Sequence, residues 1–199
     1  AALMAVLPTQ LITYMFIHAN FMHLFFNMFA LFMFGVTMER VLGGPKFLFY
    51  YISCGLGAAL VQEGVFALMI HNYASVFENA SSVTSLLRHT MVTNTELYNI
   101  GISPDEPVIY TLFSIFHTPV IGASGAIFGI LLAFGFMFPN VRLYLIFPPI
   151  PIKAKVFVLI YAGLELCLGI YNSQADTVAH FAHLGGMLFG LLILLYWRK

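Results

Sequence analysis

The sequence predicts an all-α polytopic membrane protein, a single domain over residues 1–199 built as a bundle of transmembrane helices. Three features carry this: few charges, long apolar runs, and basic residues gathered on one side of those runs. Hydrophobic residues make up 61% of the chain and charged residues 8%, against about 25% charged in ordinary globular domains. A water-facing surface cannot be built from so few charges, so most of this surface faces a lipid bilayer. The 8 basic and 8 acidic residues balance, which argues against nucleic acid as a partner, because such binders carry a basic excess. Cys54 and Cys167 both lie in apolar runs and read as two buried free thiols rather than a disulfide. The opening Ala1-Ala-Leu-Met4 lacks the basic region of a signal peptide, and a preceding segment is expected.

A spanning helix needs about 20 mostly apolar residues. Stretches at roughly 21–41, 47–70, 120–138, 154–171 and 178–197 qualify, giving five spans. Residues 1–20 carry Pro8, Gln10, His18 and Asn20 and read as an interfacial segment. Between the second and third spans lies a polar insertion, 72–118, with Glu78, Glu96, Asp105 and Glu106, where short amphipathic surface helices are expected. A proline-rich turn from Pro139 to Pro151 joins the third and fourth spans. If the spans alternate, Arg40, Lys46, Arg142, Lys153, Lys155, Arg198 and Lys199 share one side, and only Arg88 falls on the other. The positive-inside rule makes the seven-residue side cytoplasmic. The C-terminus is then cytoplasmic, and the insertion and residues 171–177 face outward.

Three polar constellations interrupt the spans, and this topology places all of them near the outer face. His23 and Asn27 are four apart at the start of the first span, on one helical face. Gly122-Ala-Ser124-Gly125-Ala-Ile-Phe128-Gly129 opens the third, and His180-Phe-Ala-His183-Leu-Gly185-Gly186 the fifth. At about 1.5 Å per residue, Ser124 and His183 each lie within a turn or two of the outer boundary. A serine hydroxyl is a weak nucleophile that needs an adjacent base. Histidine can take its proton near neutral pH and return it to a leaving amine. An oxyanion then needs aimed donors, for which the Ser124 N–H and the side chains of His23 and Asn27 are candidates. Gly125 with Gly129, and Gly186 with Gly190, form small-residue faces that let helices approach closely. Phe128, four residues after Ser124, would set an aromatic ring beside the serine, against His183.

Each residue also has a plainer reading. Ser124 alone would be a small residue at a helix interface; His183 and the paired glycines tip it toward a nucleophile. His180 competes with His183 for the base role, with the glycines at 185–186 favouring His183. His18 reads as interfacial, and Asn27 alternatively as a polar bridge between helices. The histidines lack the His-Glu-x-x-His pattern or clustered carboxylates of a metal site, so no metal and no cofactor are expected. Glu63 and Glu165 are intramembrane carboxylates, costly and functional by default, yet they read here as structural.

Taken together, Gly122-x-Ser124-Gly125, Ala182-His183-Leu-Gly-Gly186-x-x-x-Gly190 and His23-x-x-x-Asn27 resemble the rhomboid family of intramembrane serine proteases. Glu39-Arg40 with Gly43 at the cytoplasmic end of the first span fits the same pattern. The resemblance implies a Ser124–His183 dyad without a third acidic residue, oxyanion stabilisation by His23 and Asn27, and Gly122, Phe128 and Gly186 in support. It implies cleavage of transmembrane proteins at or near their spans, with no metal. The family core has six spans; five are counted here, which places its first helix before Ala1, and the 72–118 insertion lies outside the minimal core. A bacterial inner membrane is expected, and the sequon Asn79-Ala-Ser81 would be glycosylated only in a eukaryotic secretory membrane. Two rivals stand beside a protease: a catalytically inactive relative that binds membrane proteins, and a small transporter or channel using Glu63 and Glu165. The inverted repeat and broken helix pair of transporters are not seen.

Overall fold

The computed structural model describes residues 9–75, 77, 80–87, 93–101, 103, 107–117, 119–144, 150–171 and 178–198. Expectations that fall on Pro8, Glu78, Asn79, Arg88, Asp105, Glu106, residues 172–177 and Lys199 lie outside these residues. The chain divides into two compact units, one of Val6–Gln62 with Ile121–Lys199, the other of Ala1–Ala5 with Glu63–Val120.

The first unit opens with a short helix, α1 (Gln10–Thr13), which tightens into a 3-10 turn over Tyr14–Phe16. Met15 there is fully buried in the core, so this segment does more than lie at an interface. Helix α2 (Phe21–Leu42) is capped by Asn20, whose side-chain oxygen accepts the His23 N–H at 2.9 Å. It passes through one π turn at Leu31–Gly35 and stops at Gly43, whose φ of 79° suits a glycine at a helix end. Helix α3 (Gly44–Ala74) has 31 residues and so runs about 46 Å at 1.5 Å per residue, more than the roughly 30 Å of a hydrocarbon core. It starts in this unit and finishes in the other.

Helix α7 (Ser124–Met137) is shorter than the sequence suggests: its 14 residues cover about 21 Å. Helices α8 (Ala154–Tyr171) and α9 (His180–Trp197), with α2 and α3, are long and apolar enough to cross a membrane. Four of the five expected spans therefore have spanning length, and the third falls short of it. The fold is an all-α polytopic bundle as expected, and the proline-rich turn adds one short ribbon to it. The ribbon is an antiparallel pair, β1 (Arg142–Tyr144) with β2 (Pro151–Lys153), in which Leu143 faces Ile152. Pro151 sits at the first position of its strand, where a residue without an N–H is tolerated.

Small residues at four-residue steps hold α3, α7 and α9 together. A Cβ on Gly186 would overlap the Gly125 carbonyl, one on Gly129 would meet Cys54, and one on Gly190 would meet Tyr50. Tyr50, Cys54 and Ala58 of α3 are fully buried in this seam, and the Tyr50 hydroxyl donates to the Gly129 carbonyl at 2.8 Å. The outward faces are apolar: Phe21, Phe25, Phe26, Phe29 and Phe32 of α2 are all exposed. An apolar surface this extensive needs a bilayer to cover it. Cys54 is a buried free thiol as expected, but Cys167 is exposed, because α8 buries only Ala154, Val158 and Glu165.

The second unit holds the end of α3 and three short helices, α4 (Ala80–Leu87), α5 (Asn94–Asn99) and α6 (Pro107–His117). They enclose a small core of Val83, Leu87, Leu97, Ile109 and Leu112. Thr93 and Glu96 form a reciprocal capping box that starts α5. His117 Nε2 lies 2.9 Å from the Leu87 carbonyl, joining α6 to α4.

Candidate active site

Ser124 is the first residue of α7, and its position there follows from the loop before it. Gly122 has φ 115°, a conformation that disfavours any side chain, and its N–H donates to the Tyr14 carbonyl at 3.0 Å. A Cβ on Gly122 would stand 2.8 Å from the His23 ring, so the glycine is also what lets His23 close over the serine loop. The N-cap Ala123 has no capping side chain, so the first N–H groups of α7 point out of the helix beside the Ser124 hydroxyl.

The Ser124 hydroxyl lies 2.8 Å from His183 Nε2. The His183 imidazole is stacked flat on Phe128, with centroids 4.1 Å apart and planes 5° apart. Phe128 in turn packs against Tyr161 of α8 at 5.2 Å. The first turn of α9 is steadied by Gln62, a buried side chain of α3 whose Oε1 accepts the Ala182 N–H at 3.0 Å.

The other nitrogen of His183, Nδ1, lies 2.9 Å from Glu165 Oε2, and His180 Nδ1 lies 2.6 Å from the same oxygen. All three side chains are buried. His180 therefore faces the neighbouring helix α8 rather than Ser124, and Glu165 occupies the place where the resemblance implied no acidic residue. The sequence offers one signal for this, an unexplained carboxylate in an apolar span. It gives no indication that α8 turns Glu165 toward α9. Gln62 is missed for the same reason, since its partner is 120 residues away. The ligand atoms of Glu165, His180 and His183 lie within 4.8 Å of one another, a spacing a metal ion can use. Here both histidines hydrogen-bond to the Glu165 carboxylate.

His23 and Asn27 form the opposite wall. Asn27 is buried, and its amide donates to the His23 carbonyl at 2.8 Å, leaving its second N–H. His23 Nδ1 accepts the Ala19 N–H at 3.3 Å, so the ring proton resides on Nε2, the nitrogen that lies against Gly122. His18 meets the His23 ring edge-on at 5.1 Å, and its Nε2 is buried with no hydrogen-bond partner among the described residues. Glu63 belongs to the other unit and is half-buried.

The sequence matches the family profile described as Rhomboid domain over residues 8–199. It is 29% identical over 180 residues to Rhomboid protease AarA of Providencia stuartii, an overlap covering 90% of this chain and 52% of that protein. It is 28% identical over 189 residues to Rhomboid protein 1, mitochondrial, of Saccharomyces cerevisiae, covering 92% and 40%. RHOMBOID-like protein 12, mitochondrial, of Arabidopsis thaliana is 28% identical over 176 residues, covering 88% and 42%. The chain thus spans about half the length of these relatives or less. No solved structure matches it. With relatives in both bacteria and mitochondria, the expectation of a bacterial inner membrane reduces to an integral membrane protein. The match across nearly the whole chain, on a bundle of apolar spans, makes this protein a member of the rhomboid family.

Proposed function

We propose that the protein is an intramembrane serine protease in which Ser124 attacks a peptide carbonyl and His183 serves as general base and then general acid. The observation that carries this is the 2.8 Å approach of the Ser124 hydroxyl to His183 Nε2. That is the distance at which a base takes up the proton as the serine oxygen attacks. Phe128 holds the imidazole plane from the side. The oxyanion is received by the first N–H groups of α7, the His23 Nε2–H and the free Asn27 N–H, each such donor being worth about 2.7–4 kcal/mol where measured.

Several features adapt this chemistry to a membrane. The shortness of α7 recesses its first residue, Ser124, below the surface that a full-length span would reach. The charge pattern turns the site toward the outer side and the C-terminus toward the cytoplasm. The 72–118 stretch then forms an outward-facing insertion on the single rhomboid domain. A substrate helix must be unwound before its carbonyl is exposed, because its backbone groups are already bonded. Substrates are therefore transmembrane proteins with small residues at the cut and helix-weakening residues nearby. They enter laterally past α8, which buries only Ala154, Val158 and Glu165 of its 18 residues.

Incubation with a single-span membrane substrate in detergent or liposomes tests this reading. Cleavage by the wild type and none by Ser124→Ala is expected; product formation by Ser124→Ala at the wild-type rate would sink the mechanism.

A further inference from the structure

Glu165 bonds to the nitrogen of His183 that does not face the serine. A neutral imidazole carries one proton, and the partner of one nitrogen decides which. A carboxylate only accepts, so at 2.9 Å from Glu165 Oε2 the proton of His183 sits on Nδ1. Nε2 is then left with its lone pair toward the Ser124 hydroxyl, 2.8 Å away. The other tautomer would point an N–H at the serine and could not act as a base. Glu165 is itself held: His180 Nδ1 donates to the same oxygen at 2.6 Å, using its second lone pair.

We propose that Glu165, braced by His180, is a positioning residue that keeps His183 in its serine-activating tautomer, so that the dyad works as a triad; this rests on the protease reading above. The placement of Glu165 supports it. Helix α8 exposes Leu159, Leu164, Leu166, Leu168 and Ile170, and of its 18 residues it buries only Ala154, Val158 and Glu165. An ionisable side chain in a spanning helix is costly unless paired, and packing alone would be better served by an apolar residue. Its chemistry is therefore the reason for its presence. His180 occupies one turn of α9 with His183, which sets both rings toward one carboxylate.

The proton balance is closed. As Ser124 Oγ bonds to the substrate carbonyl carbon, its proton moves to His183 Nε2. The imidazolium formed faces the Glu165 carboxylate, which stabilises it without taking the Nδ1 proton. Nε2 then gives its proton to the departing amine as the C–N bond breaks. Water attacks the acyl-enzyme, its proton passes to Nε2, and that proton returns to Ser124 Oγ as the acid leaves.

The test combines kinetics with nitrogen NMR on histidine-labelled protein in detergent. His183 in the wild type should show a protonated Nδ1 with a strongly deshielded proton, and a His183 protonated on Nε2 would overturn the proposal without any variant. Glu165→Gln should lower kcat by at least about a hundredfold, with KM nearly unchanged, in line with the loss of about 10⁴ when a serine-protease aspartate becomes asparagine. Glu165→Asp should recover part of that loss, and His180→Asn should fall between it and the wild type. A Glu165→Gln enzyme with kcat within about threefold of wild type, beside an inactive Ser124→Ala, would overturn the role of Glu165 alone. An active Ser124→Ala would instead overturn the protease reading beneath it. If Glu165→Gln does not fold, kcat within about threefold of wild type in both Glu165→Asp and His180→Asn overturns the proposal.

Discussion

The imidazole of His183 lies flat against the ring of Phe128, centroids 4.1 Å apart and planes 5° apart. This contact fixes the plane in which Nε2 meets the serine. Phe128→Leu keeps most of the apolar volume and removes the flat face. Aromatic stacking is worth about 0.5–1.5 kcal/mol beyond area, so kcat should fall roughly two- to tenfold with KM little changed. Steady-state kinetics on a single-span substrate checks this; an unchanged kcat would show that the ring does not position the base.

Gly186 allows α9 to sit against α7. A Cβ there would overlap the Gly125 carbonyl, whereas one on Gly163 of α8 meets nothing within 4 Å. Gly186→Ala should destabilise the protein by about 1–3 kcal/mol or more, the usual cost of overpacking. Gly163→Ala should be neutral or slightly stabilising, since alanine is the better helix former. Thermal unfolding in detergent separates the two, and equal melting temperatures would contradict the packing described.

His23 faces the loop before Ser124 with Nε2 as its protonated nitrogen. His23→Ala should reduce kcat by about 10²–10³, the loss found when one oxyanion donor is removed. KM should barely move, because the donor is used in the transition state. A rise in KM at constant kcat would instead make His23 a substrate-binding residue.

Cys167 is exposed on α8 while Cys54 is buried, so a thiol-reactive spin label reports on α8 alone. Glu165 is the buried residue that ties the later part of α8 to α9. Glu165→Gln should increase the mobile fraction of the spectrum of a label on Cys167. An unchanged spectrum would mean that apolar contacts alone hold α8.

Much of the bundle and part of the site are legible in the sequence because periodicity and charge are local signals. Helical spacing puts His23 with Asn27 and Ser124 with Phe128 on shared faces, and alternation of the spans predicts one depth for these pairs and His183. The tertiary partners are not legible in this way. The rotation of α8 that aims Glu165 at His180 and His183 is set by how Val158 and Ala154 pack, not by any spacing to α9. The length of α7 is hidden because residues 120–123 are as apolar as the helix that follows. The π turn at Leu31–Gly35 lies in a run that reads as uniform helix, and β1 and β2 are too short to show an alternating pattern.

The most direct measurement of the central claim is covalent labelling by a fluorophosphonate probe, with the adduct located by mass spectrometry. A serine activated by His183 should be labelled at Ser124, and His183→Ala should reduce the labelling rate by orders of magnitude while leaving the fold intact. Labelling elsewhere, or at Ser124 with an undiminished rate in folded His183→Ala, would contradict it.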